Sequence, residues 1–320
     1  MEIKQLLRIR NLTTRLQGHG REIVVAEGLD MDVFAGEILG LIGESGCGKT
    51  MTALSLTSLV PPDTQITYNE YTFGEAPIHL NDPRDVRRVR GNGIAYIFQE
   101  PSAYLNPLVR IGSQIQETIR LTRGFSSAQA KTEACRCLEE ASLKPAHLFY
   151  DLYVHQLSGG MSQRAMIALA LAQNAKMIVA DEPTTALDKS TERSIMATID
   201  KIRRESGRAI LWITHDLGLI ESLADRILVM YAGRFVETGL TRKVLGHPQH
   251  PYTQALVRCL PKHMKEGRFG SIPGAVPDLS RTRTGCLFYP RCPKRIPSCS
   301  MQEPAIRHVA PDHGVRCFLL

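Results

Sequence analysis

No apolar run in the 320 residues approaches the ~18 that a bilayer-spanning helix requires. Met1 to Arg10 (MEIKQLLRIR) also lacks the uninterrupted apolar core of a secretory signal. Both absences lead us to expect a soluble chain that stays in the cytosol. Charge of one sign is scarce as well: 39 Lys and Arg against 32 Asp and Glu leave +7, so the chain is no polycation. Internal repeats and low-complexity tracts are missing. What is present, 43% apolar and 22% charged residues, is enough to bury a sizeable core and excludes wholesale disorder. No C-x-x-C pair occurs among the eight cysteines, and in a reducing compartment they read as thiols or metal ligands rather than disulfides.

Periodicity divides the chain. From Leu6 to Gly40 apolar and polar side chains alternate, as at Leu29, Met31 and Val33, with Gly28 and Gly36 as punctuation; this predicts half-buried antiparallel strands. Short apolar runs then recur at Ile38–Ile42, Ile94–Phe98, Met177–Ala180 and Ile210–Ile213, predicting buried parallel strands in an α/β sheet. Between the second and third, residues 110–173 carry helix-period apolar positions and predict a helical insertion. Its best-marked helix spans about Ser126–Ser142, with Ser127 as cap and Ala130, Ala134, Cys137, Leu138 and Ala141 on one face. We place a boundary near Thr241, giving a domain over residues 1–241 and, over 242–320, an extension that becomes rich in Pro, His and Cys from His247 onward.

Gly43-Glu44-Ser45-Gly46-Cys47-Gly48-Lys49-Thr50 fits G-x-x-x-x-G-K-[ST] between an apolar strand and a helix-forming run. Glycines there let successive N–H groups face phosphates, Lys49 reaches the terminal oxygens and Thr50 is a ligand for Mg²⁺. Asp181 at the end of an apolar strand suits the metal, and Glu182 can poise an attacking water. Gln99 and His215 follow two other strands, so these polar groups can converge at one sheet edge. Leu157-Ser158-Gly159-Gly160-Met161-Ser162-Gln163 opens an apolar helix. Alone it is an ordinary Ser cap; beside a phosphate loop, it suggests a second anion site serving the nucleotide of another copy.

In that order the motifs resemble those of the ATP-binding cassette transporter ATPases: GESGCGKT as Walker A, Gln99 as the Q-loop, LSGGMSQ as the signature, IVADE as Walker B, Ala186-Leu187-Asp188 as the D-loop and His215 as the switch histidine. FQEPSAYLNP, HPYTQAL and GCLFYPRCP narrow the resemblance to the peptide and nickel importer ATPases. It implies a P-loop ATPase core with an antiparallel β subdomain, a helical subdomain and a Cys-rich C-terminal extension. It further implies that two cassettes pair head to tail. Gly43, Ser45, Gly46, Cys47, Gly48, Lys49 and Thr50 would hold ATP, and Ser158, Gly159 and Gly160 would act on the partner's ATP. Thr50, Gln99 and Asp181 would hold Mg²⁺, with Glu182 as general base and His215 on the γ-phosphate. Residues 99–106 would face two membrane permease subunits on the cytoplasmic side of the inner membrane. The second ATPase subunit would be a distinct homologue, and an external solute-binding protein would deliver the cargo. The family's adenine-stacking aromatic has no counterpart at Thr14–Gly18. Cys47 replaces a common Ser and reads either as a reactive thiol or as a small buried filler.

Cys286, Cys292, Cys299 and Cys317 lie at intervals unlike those of ordinary structural zinc sites. Some members of the resembling group carry a [4Fe–4S] cluster at such a tail; zinc and free thiols remain the alternatives. A cassette ATPase acting on nucleic acid or ribosomes is the competing function. Against it, the chain shows no second cassette, coiled coil or zinc module, and Arg84, Arg87, Arg88 and Arg90 read as a solvated face.

Overall fold

The computed structural model describes residues 4–18, 21–260, 270–278 and 284–320. Parts of the Cys-rich tail, 261–269 and 279–283, fall outside them. The chain forms two compact units, one built chiefly from Ile78–Leu211 with Phe34–Gly36, the other from Gln5–Val33, Glu37–Pro77 and Trp212–Leu320.

In the second unit the long strand Gln5–Gly18 pairs antiparallel with Thr64–Thr67 and with Glu70–Phe73. Arg21–Phe34 lies on its other side. Alternation buries Leu7 and Ile9, then slips to Leu12 and Thr14, because Asn11 takes a left-handed φ of 55° and its N–H donates to Asp30. Gly28, read as punctuation, lies inside the strand Arg21–Phe34, at a left-handed φ of 62° with its N–H donating to the Thr13 hydroxyl.

A second sheet of this unit runs parallel where Ile38–Ile42 meets Arg226–Tyr231. All five residues of Ile38–Ile42 are buried, the mark of a strand covered on both faces. Arg226–Tyr231 turns antiparallel into Arg234–Leu240, which takes His313–Val315 as its next neighbour. The last residues of the chain thus extend the sheet that carries the phosphate-loop strand. Tyr231, Phe235, Tyr252 and Phe288 fill the interior behind it.

The first unit pairs Ile94–Ile97 parallel with Met177–Asp181. Between them come the helices Ile111–Arg123, Ser127–Glu140, Ala146–Tyr150 and Gly159–Ala172, matching the expected insertion. Ser126, not Ser127, caps the second of these: its hydroxyl accepts the Gln129 N–H, and the Gln129 side chain returns to the Ser126 N–H. The capping box selects the residue three before a Gln, and Ser127 has no Gln at that distance. Ala130, Ala134, Cys137, Leu138 and Ala141 are all buried as the spacing predicts.

Two of these helices are clasped by Glu133, whose carboxylate meets Arg123 and Arg136 at 2.6 Å each. The hydrogen bond from Arg136 leads in pulling its pKa down from 4.5 to about 2, against the opposing cost of burial. A depressed carboxylate stabilises the fold above its unfolded pKa and loses that contribution as pH falls through the folded one. Urea unfolding of the E133Q variant should therefore give a lower midpoint than the parent at pH 7, the gap closing between pH 4.5 and 2. A gap that is constant with pH would show the pair to be idle.

Candidate nucleotide site

The residues expected at the site fall into two sets, one in each unit. In the second unit the strand Ile38–Ile42 runs into Gly43, where a Cβ would stand 2.2 Å from the Met230 carbonyl oxygen and 2.8 Å from the Cys47 sulfur. Gly48 turns the chain at φ 105°, and a Cβ there would lie 2.5 Å from the Val25 carbonyl oxygen. No other residue type fits either place, so the loop closes tightly and leads directly into the helix Lys49–Ser55. Ser45, Gly46 and Thr50 remain exposed, while Lys49 is buried, its ammonium donating to the Gly43 and Glu44 carbonyls at 2.8 and 3.0 Å. The arrangement fits a polyphosphate: open backbone and hydroxyl groups around a lysine whose charge stays within the loop.

Cys47 is fully buried, and burial raises its thiol pKa although Lys49 opposes this. The filler reading is the correct one, since a reactive thiol needs both exposure and a lowered pKa. His215 is exposed just past the strand Ala209–Thr214, and Asp216 caps the next helix by accepting the Gly218 and Leu219 N–H groups at 2.8 and 3.1 Å.

In the first unit Asp181 closes the strand Met177–Asp181, 8% exposed. Glu182 follows in a left-handed conformation, φ 45°, which is uncommon for a residue with a side chain. Its carboxylate accepts from the Thr185 hydroxyl at 2.8 Å and its carbonyl accepts the Thr185 N–H at 3.2 Å. Strain of this kind persists only where surrounding contacts fix it, and it aims the carboxylate. Ala186 repeats the conformation, and Asp188 then caps the helix Lys189–Ser206 through Ser190 and Thr191. These two hydroxyl-bearing residues hold the Asp188 carboxyl well below its usual range.

Ser158 caps the helix Gly159–Ala172, accepting the Met161 N–H. Gly160 allows that helix to touch the D-loop helix, because a Cβ there would sit 2.7 Å from the Thr191 methyl. Gln163 donates to the Phe98 carbonyl at 3.4 Å, one residue before the exposed Gln99. Strand pairing of Ile94–Ile97 with Met177–Asp181, the Gln163 hydrogen bond and the close approach of Gly160 to Thr191 thus link these segments within the first unit.

Further contacts escaped the sequence analysis. The buried Tyr252 hydroxyl accepts the Glu44 N–H at 3.0 Å, tying His250-Pro251-Tyr252 to the phosphate loop. Glu237, fully buried, takes the N–H groups of Gln249 and His250 and the His313 ring nitrogen, all within 2.9 Å. The repeated aromatic and His signal was visible, but pairing across some 200 residues was not.

Cys286, Cys292, Cys299 and Cys317 line one pocket with His250 and Phe288. Burial pushes the Cys286 thiol up to about 11, with the other three sulfurs adding repulsion. Burial raises the Cys292 and Cys317 thiols as well, although the Lys294 charge and nearby backbone N–H groups oppose it. Among the described residues no three His, Cys, Asp or Glu groups are placed to hold a single metal ion.

The family model for ABC transporter proteins matches residues 26–185, half the chain, from ahead of the phosphate loop to just past Asp181 and Glu182. This chain belongs to the ABC transporter family. A second model, the oligopeptide/dipeptide transporter C-terminal region, matches residues 236–299. The oligopeptide transport ATP-binding protein OppD of Salmonella typhimurium is 38% identical over 98% of this chain and 93% of its own length. The dipeptide transport ATP-binding protein DppD of Escherichia coli is 35% identical over 98% and 96%. Among solved structures, the dimeric cassette MJ0796 in a post-hydrolysis state with ADP and phosphate is similar at a TM-score of 0.66, 27% identical, over 74% of this chain and 99% of that one. The chain is accordingly an ATP-hydrolysing cassette. Iodoacetamide should leave its Cys47 unlabelled in the native state and label it only in urea, as read by peptide mass; rapid native labelling would contradict the burial.

Proposed function

We propose that the chain is the ATPase subunit of an importer for dipeptides or oligopeptides. The observation that carries this is the match of residues 236–299 to the oligopeptide/dipeptide transporter C-terminal region, joined to nearly full-length similarity to OppD and DppD. Uptake of nickel or a metal chelate is the alternative cargo. Residues 1–241 would be the ATPase domain and 242–320 the extension particular to this branch of the family.

In this reading Lys49, Thr50, Asp181, Glu182, Gln99 and His215 surround one nucleotide, and Ser158, Gly159 and Gly160 close on the nucleotide of the facing cassette. Mg²⁺, when bound, would withdraw charge from the phosphates, with Thr50, Asp181 and Gln99 as its protein contacts. Lys49 neutralises the terminal oxygens. Glu182, held by its left-handed backbone and Thr185, accepts the proton of the attacking water. His215 then contacts the phosphoryl group being released.

Two cassettes, this chain and a distinct homologue, would sit under two permease subunits at the cytoplasmic face of the inner membrane, with a solute-binding protein outside. No helix among the described residues is long and apolar enough to cross a membrane, in keeping with a peripheral subunit. Tyr104 and Leu108, 56% and 86% exposed in the segment after Gln99, would supply apolar contacts for the permeases.

Cys286, Cys292, Cys299 and Cys317, which line one pocket, would be the residues to hold a [4Fe–4S] cluster, each supplying one thiolate.

In the assembly with its homologue and permeases, E182Q should lower ATP hydrolysis by about 10²- to 10⁴-fold while retaining Mg-ATP binding. Dipeptide-loaded binding protein should stimulate the unaltered complex. Stimulation by a nickel-loaded protein instead would replace the cargo assignment, and hydrolysis undiminished in E182Q would remove the base.

A further inference from the structure

The Cys-rich segment returns to the phosphate loop at one residue. Arg291 ends the single helical turn Tyr289–Arg291, immediately before Cys292, and its side chain is only 4% exposed. One terminal nitrogen donates to both Glu44 carboxylate oxygens, at 3.0 and 3.1 Å. Nε donates to the Pro273 carbonyl at 2.8 Å, and the other terminal nitrogen to the Ile272 carbonyl at 3.1 Å. The Tyr231 ring lies 5.8 Å from the guanidinium carbon. With its donors spread over fixed acceptors, a planar guanidinium has one orientation available.

Glu44 is the first variable residue of the phosphate loop, and all three of its polar parts are engaged. Its N–H meets Tyr252, its carbonyl takes the Lys49 ammonium and its carboxylate takes Arg291. A loop built to hold a polyanion carries here a carboxylate of its own. Without a counter-charge it would repel the ligand, and shelter from water weakens the screening of that repulsion. Arg291 cancels the charge and fixes the residue that anchors Lys49.

The position of Arg291 depends in turn on the cysteine turns. The Cys286 N–H donates to the Cys299 carbonyl at 2.7 Å, Tyr289 to Cys286 at 2.9 Å, Arg291 to Phe288 at 3.0 Å and Cys292 to Tyr289 at 3.3 Å. Phe288 packs edge-on against Tyr231, centroids 5.2 Å apart. A change in how the four sulfurs are held therefore displaces the turn from which Arg291 extends.

We infer that Arg291 is a positioning residue for the phosphate loop, holding Glu44 and through it Lys49, and that it makes nucleotide affinity respond to the state of the four-cysteine pocket. This rests on the reading of the loop as an ATP site.

The test is titration of the full chain with a fluorescent ATP analogue and Mg²⁺. R291Q should weaken binding about tenfold, whereas R291K, which keeps the charge, should stay within about threefold of the parent. In an E44Q background R291Q should change affinity less than about threefold, a rescue that misfolding cannot produce. C292S should behave like R291Q, weakening binding with Glu44 present and not with E44Q. Equal losses in both backgrounds, or no loss on changing Arg291, overturn the inference alone. Loss from R291Q without loss from C292S overturns its link to the cysteines. An unaltered chain that fails to bind the analogue overturns the nucleotide reading and the inference with it.

Discussion

The lack of room at Gly43 and Gly48 governs this molecule. Backbone carbonyls of Met230 and Val25 approach so closely that any side chain would collide with them. That closeness buries Cys47, draws the Gly43 and Glu44 carbonyls toward the Lys49 ammonium and leaves Ser45, Gly46 and Thr50 open. The sheet supplies the walls: Met230 belongs to the strand running parallel beside Ile38–Ile42, so the loop's geometry is a consequence of strand pairing.

The far end of the chain is built onto the same walls. His313–Val315 adds to the sheet beside Arg234–Leu240, Glu237 gathers the start of the Pro251 helix, and Tyr252 and Arg291 reach Glu44. The buried charges on this path are paired: Glu237 with His313 and two backbone N–H groups, and the Arg291 guanidinium with the half-buried Glu44. Breaking either pair would leave an uncompensated charge in a dry place, which is far more costly than never having had the pair. The extension is thus a structural partner of the phosphate loop rather than an appendage.

In the other unit a comparable economy joins the signature helix to its neighbours. Gly160 admits the Thr191 methyl, Gln163 reaches the Phe98 carbonyl, and Asp188 begins the helix that Gly160 touches. A shift in any one of these segments has to move the others, which is the property a coupling element between a nucleotide and a membrane partner needs.

How much was legible in the sequence follows from the range of each interaction. Strand and helix identities came through because burial imposes period 2, period 3.6 or an unbroken apolar run on neighbouring residues, as at Met177–Asp181 and in the helical insertion. The phosphate loop came through because steric exclusion at Gly43 and Gly48 forces a local pattern. Placing the cap at Ser127 instead of Ser126, and reading Gly28 as punctuation where the strand runs on through it, came from weighing residue type without its cross-strand or reciprocal partner. The four cysteines, singled out together in the sequence, do line one pocket, whereas the fate of Cys47 and the grip of Tyr252 and Arg291 on Glu44 were decided only by tertiary structure. Burial and pairing between residues some 200 positions apart depend on which surfaces meet, and that information is spread over the whole chain rather than written at any one position.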